Sequence, residues 1–189
     1  MDATTKSLHE RVALSIRRPL SIPGGGPASV LAQAASAYGA QPVIDGADEL
    51  VGFDPEPAAL FEAVIEAAYL VANADGVFDD EERAAFESVV AIACDNVVQQ
   101  RQIEALTADF RELLAEDGVE QRARMIARTV SEREAQLEVL RIAALMAHVS
   151  GGVSEDERAA LAHLALGFGL DAGAVVEALE HAAAALDLE

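Results

Sequence analysis

The chain has 189 residues, of which 33 are Asp or Glu and 13 are Lys or Arg, giving a formal charge of −20. A field of that sign repels phosphate backbones and anionic headgroups, so it argues against nucleic acid and acidic membranes as partners and favours divalent cations or basic proteins. An apolar fraction of 52% excludes an acidic disordered tail, and forty alanines beside six Phe, two Tyr and no Trp predict closely packed helices rather than sheet.

Cys94 stands alone, so no intrachain disulfide or Cys-based zinc site is expected; it reads as a small buried hydrophobe in a reducing compartment, the cytoplasm. No run of about 18 uncharged apolar residues occurs, so no membrane insertion is expected. The Arg17-Arg18 pair is followed by PLSIPGGGP rather than by an apolar stretch, which argues against export.

Residues 1–40 are net basic, with Lys6, Arg11, Arg17 and Arg18 against Asp2 and Glu10. The spacing of Leu8, Val12 and Ile16 predicts a short amphipathic helix over 4–17, stopped by Pro19 and the proline-glycine run from Pro23 to Pro27. No Lys-Ser/Thr follows that run and no apolar strand precedes it, so it reads as linker rather than phosphate loop. A second short helix is expected over 28–38, then a Gly-, Pro- and Asp-rich loop over 39–57. Residues 1–57 thus read as an N-terminal arm and 58–189 as the main helical domain.

The domain opens with a helix over 58–74, carrying Phe61, Val64, Ile65, Ala68, Tyr69 and Ala72 on one stripe and stopped by Gly76. Helices are expected next over 79–97 and 100–116, the latter ended by Gly118, followed by 119–130, 132–149 and 155–168. A last helix follows Asp171.

Sliding the chain on itself by 75 residues lays the segment from Leu60, LFEAVIEAAYLVANADGVFDDEERAAF, over that from Ala135, AQLEVLRIAALMAHVSGGVSEDERAAL, without a gap. Gly76 meets Gly151, and Glu82-Arg83-Ala84-Ala85 meets Glu157-Arg158-Ala159-Ala160. A lone helical hairpin leaves one face of its apolar stripe bare. The expected fold is therefore all-α: a helical bundle of two pseudo-symmetric helix-turn-helix repeats with bridging helices between them.

The hairpin from Ala72 to Arg83, ANADGVFDDEER, resembles that of the tellurite-resistance TerB-like family, in which an alanine-rich helix runs into an Asp-Gly turn and an acidic helix start. The second copy, from His148 to Arg158, is similar in weaker form. The resemblance covers about Ala58 to Leu188. It implies a non-enzymatic all-helical module with an acidic surface, divalent metal binding and a role in stress-response or envelope-associated assemblies with protein partners.

Asp75, Asp79, Asp80, Glu81 and Glu82 place five carboxylates within eight residues. The stretch matches the latter half of a calcium-binding EF-hand loop, with Asp75, Gly76 and Glu82 at its fifth, sixth and terminal positions. Val71 at the first position has no side-chain oxygen to offer, which excludes a complete EF-hand. A looser site for Ca²⁺, Mn²⁺ or Zn²⁺ would use Asp75, Asp79 and Glu82. Capping explains the same residues without an ion: Asp79 with Glu82, and Ser154 with Glu157, both have the spacing of a capping box. The two readings are compatible.

Other sets carry less. His148, His163 and His181 lack the spacing of a local zinc pair, and Arg122, Arg124, Arg128 and Arg133 read as a solvated face paired with nearby acids. No nucleophile motif is present, and a metal-dependent hydrolase would need a concave pocket lined by carboxylates of both copies. The expected function is a TerB-like binding module, with a metal-independent protein-interaction scaffold as the alternative.

Overall fold

The computed structural model describes residues 3–18, 29–39, 55–149 and 152–188. Among them are α1 (Ala3–Arg17), α2 (Val30–Gly39), α3 (Pro55–Ala72), α4 (Asp80–Ala93), α5 (Gln100–Thr129), α6 (Arg133–Met146), α7 (Glu155–Gly167) and α8 (Ala172–Ala185), and no strand. The architecture is an all-α bundle. The PGGGP run, most of the expected 39–57 loop, and Ser150 and Gly151 lie outside the described residues.

Two helices form its centre. From Phe61 to Val71 every residue of α3 except Glu62 is buried, and from Glu138 to Ala147 the chain of α6 is buried without a break. A helix that is apolar on all sides must be covered on all sides. Accordingly α3 packs against α6 and is flanked by α2, α5 and α7, while α6 is flanked by α1 and α8. The alanines at 63, 67 and 68 of α3 and 143 and 144 of α6 let these neighbours approach closely.

α1 and α2, read from sequence as part of an arm, pack into this same core. Val12, Ala13 and Ile16 are buried against α4 and α6, and Leu31, Ala34 and Ala35 against α3. Two charged residues of α6, one turn apart, hold their ends. Glu138 Oε1 accepts from the Val30 amide at 2.8 Å, at the N-terminus of α2. Arg141 donates to the carbonyls of Ser15 at 2.9 Å and Arg18 at 2.8 Å, at the C-terminus of α1. Each charge thus meets the helix end whose partial charge is opposite. Tyr38 stacks on Phe61 with ring centroids 4.5 Å apart, fastening α2 to α3.

Element ends differ from the expected ones for local reasons. α3 starts at Pro55, since proline's fixed φ suits the first helical position. α4 stops at Ala93, short of Val97, because Asp95 and Asn96 take left-handed conformations with φ of 56° and 57°. Gly118, with φ 74° and ψ 165°, breaks α5 where the expected helix over 100–116 was to end, and the second stretch, expected over 119–130, follows directly as expected. Among the described residues no helix is long and apolar enough to cross a membrane.

Candidate functional site

The acidic turn between α3 and α4 is built by three side chains bonded to its own backbone. Asp75 Oδ1 accepts from the Val77 amide at 2.9 Å, while Gly76 takes the left-handed φ of 76° that reverses the chain. Asp79 Oδ1 accepts from the amides of Glu81 at 2.8 Å and Glu82 at 2.9 Å. Glu82 Oε2 accepts in return from the Asp79 amide at 3.2 Å, completing a capping box. Phe78 anchors the turn, edge-on to Tyr69 at 5.1 Å and to Phe86 at 5.9 Å.

The second turn repeats the device. Ser154 Oγ accepts from the Glu157 amide at 3.1 Å, and Glu157 Oε2 accepts from the Ser154 amide at 2.7 Å. Both boxes expected from sequence are therefore present.

The two turns also converge. Glu157 is 6% exposed, and its carboxyl is held above the ordinary range by burial, opposed by the Ser154 hydrogen bonds and reinforced by the nearby charges of Asp75 and Glu82. At this corner of the bundle the charges of Asp75 and Glu82, on the first hairpin, thus act on Glu157 of the second. The alignment lays Glu157 on Glu82 as its counterpart in the second capping box, but its approach to the first turn depends on packing that the alignment does not contain.

Each of these three carboxylates has one oxygen bonded to a backbone amide, leaving the other oxygen to meet a cation. Asp79 is exposed on the same turn, its Oδ1 shared between two amides. Among the described residues no three or more His, Cys, Asp or Glu side chains are grouped so as to hold a metal ion. The corner can therefore offer an incoming cation an acidic field and single oxygens rather than a finished coordination shell.

A groove of about 210 Å³ adjoins the corner, with Phe78, Phe86, Met146 and Val149 in its walls. Its carboxylates, Glu81 and Glu82, come from the first turn, and none from the second is among its walls. His148 and His163 are half-buried and His181 is exposed. Burial, aided by Arg158, lowers the pKa of His148. The four arginines do not share one solvated face: Arg122 is half-buried and paired with Glu66, Arg124 pairs with Glu120 on its own helix, Arg128 lies against Met125, and Arg133 is exposed. Cys94 is buried, and that burial pushes its thiol up to about 12, so it stays protonated and inert.

Comparison of the chain with protein-family models, with curated proteins and with solved structures finds no match.

Proposed function

We propose that the chain is a non-enzymatic binding module of the TerB-like kind, acting in the cytoplasm through its acidic corner on protein partners in stress response. The observation that carries this reading is the convergence of Asp75, Glu82 and Glu157, contributed by two hairpins. A divalent cation, Ca²⁺, Mn²⁺ or Zn²⁺, would be held weakly there, by the free oxygens of Asp75, Asp79 and Glu82 and otherwise through water. It would offset the mutual repulsion of the carboxylates and couple the first turn to the second. The resemblance of the Ala72–Arg83 hairpin supports the same reading.

Calorimetric titration with each of the three cations tests it. Binding is expected in the wild-type chain and its loss in Asp75→Ala/Glu82→Ala; heat that is unchanged in the double variant rejects the site.

A second reading, a metal-independent interaction scaffold, is favoured by one observation: Asp79, Glu82 and Glu157 already serve as caps. In that case a chelator leaves partner capture unchanged, whereas Asp80→Asn/Glu81→Gln, which lowers the surface charge without touching a cap, weakens it.

A further inference from the structure

A cavity of about 290 Å³ lies between α4 and the first half of α5, with Tyr69 and Phe78 also in its wall. α4 turns one face to it, carrying Asp80, Arg83, Ala84 and Glu87. α5 does the same with Glu104, Thr107, Ala108 and Arg111. Both sets follow the three-, four- and seven-residue spacing of a single helix face. Ala84 and Ala108 occupy the middle of each face, and their short side chains leave the gap open.

The charges around it are sorted by end. Gln100 Nε2 donates to Glu87 Oε2 at 3.0 Å and to Glu104 Oε1 at 3.3 Å, so these two carboxylates share one end. Burial and the neighbouring Glu104 hold the Glu87 carboxyl above its ordinary range, against the opposing pull of Arg83 and Gln100. Arg111 stands seven residues along α5 from Glu104, about 10 Å of helix rise. Arg83 is paired with Asp80 at 2.8 Å, but Arg111 makes no ion pair among the described residues.

The wall holds one more unmet group. Tyr69 is fully buried and its hydroxyl has no hydrogen-bond partner among the described residues. Arg111, in the same wall, is the charge that acts on this phenol, against its burial. A buried hydroxyl without a partner costs free energy that an incoming acceptor recovers.

We propose that this cavity binds a small zwitterion of the amino-acid class, its carboxylate taken by Arg111 and the Tyr69 hydroxyl and its ammonium group by Glu87 and Glu104. The separation of the two ends selects an amine and an acid several bonds apart, as in lysine, a short peptide or ε-aminocaproate. The site is distinct from the acidic corner and does not depend on a metal there.

Calorimetry on the full chain with ε-aminocaproate, compared with caproate and hexylamine at equal ionic strength, tests the proposal. The zwitterion is expected to bind about tenfold or more tightly than either single-ended analogue, the worth of one charged hydrogen bond. Arg111→Gln should reduce its affinity to that of hexylamine, and Glu87→Gln to that of caproate. Tyr69→Phe should weaken binding severalfold while leaving the unliganded fold intact. Ala108→Leu, a change at an exposed position that fills the gap without altering charge, should abolish binding. Asp75→Ala/Glu82→Ala should leave zwitterion binding unchanged, which separates this site from the corner. No binding of ε-aminocaproate, equal affinity for hexylamine, or undiminished binding in Arg111→Gln overturns it.

Discussion

Arg122 reaches from α5 to Glu66 on α3, Nε to Oε1 at 2.6 Å, with the two side chains 11% and 9% exposed. The same guanidinium takes Asp117 Oδ2 at 3.0 Å, on the other side of the Gly118 break. One side chain therefore fastens both segments of α5 to a central helix. Removing a single partner strands a buried charge, which costs about 3–5 kcal/mol, whereas replacing both by apolar residues of similar volume costs far less. Arg122→Ala should accordingly lower the denaturant midpoint strongly and Arg122→Met/Glu66→Leu only slightly. Arg124→Ala, which removes an exposed pair, should cost about 1 kcal/mol or less. Equal losses for Arg122→Ala and Arg124→Ala would show that the first pair is not buried.

Arg141 makes a separate prediction about α1. Its guanidinium closes carbonyls at the end of that helix, and its own burial lowers its pKa, opposed by Glu138. Arg141→Met keeps the packing volume of the stem but leaves those carbonyls without a donor. Amide exchange should then speed up selectively in α1, with α3 retaining its protection, because local opening follows the weakest docking contact. Uniform acceleration across all helices would mean that Arg141 supports the core as a whole.

These two arginines show what a sequence read by periodicity can reach. The helix stripes, both capping boxes and the left-handed Gly76 depend on neighbours a few positions away, and each is found where the spacing placed it. Arg122 depends on Glu66, 56 positions distant, and nothing local distinguishes it from the exposed Arg124. Leu8, Val12 and Ile16 marked α1 as amphipathic, but not the helices it docks on. Of the candidate site, the first turn was legible, because Asp75, Asp79 and Glu82 act within eight residues. Glu157 at the same corner was not, because its approach depends on how the two hairpins pack. The cavity between α4 and α5 was equally hidden, since its two faces read as ordinary solvated stripes until they are brought opposite each other.

The buried carboxylates set an unusual dependence on pH. Glu87, Glu138 and Glu157 all have pKa values raised above 4.5, with burial the largest cause in each. The folded state therefore holds more protons than the unfolded one between 4.5 and the raised values. Stability in that window falls as pH rises. His148 opposes this: its pKa is lowered from 6.5 by burial and Arg158, so its contribution is lost as pH drops below that value. Three buried carboxylates outweigh one imidazole, and partial neutralisation of a chain carrying −20 acts in the same direction. The melting temperature should rise as pH is lowered into the window just above 4.5. Glu157→Gln keeps an acceptor for the Ser154 amide but cannot titrate beside Asp75 and Glu82, so it should flatten part of that slope. A melting temperature that falls steadily on acidification from neutral would contradict the assignment.

Gly39 closes α2 against the loop that follows α4. A Cβ there would stand 2.4 Å from the Val97 carbonyl oxygen and 3.0 Å from its carbon. Both are backbone atoms, so no rotamer change relieves the clash, and Asp95 and Asn96 just before them are already committed to left-handed conformations. Either α2 must retreat, pulling Tyr38 off Phe61, or the loop must shift, disturbing the buried Val98. Gly39→Ala should cost about 1–3 kcal/mol, the usual range for overpacking. Gly167 offers a graded comparison, because its Cβ would lie 3.0 Å from the Ala123 carbonyl oxygen, a contact that a shift of a few tenths of an ångström relieves. Thermal melts should therefore rank Gly39→Ala below both Gly167→Ala and the wild-type chain. If Gly39→Ala melts at the wild-type temperature, α2 does not approach that loop as closely as described.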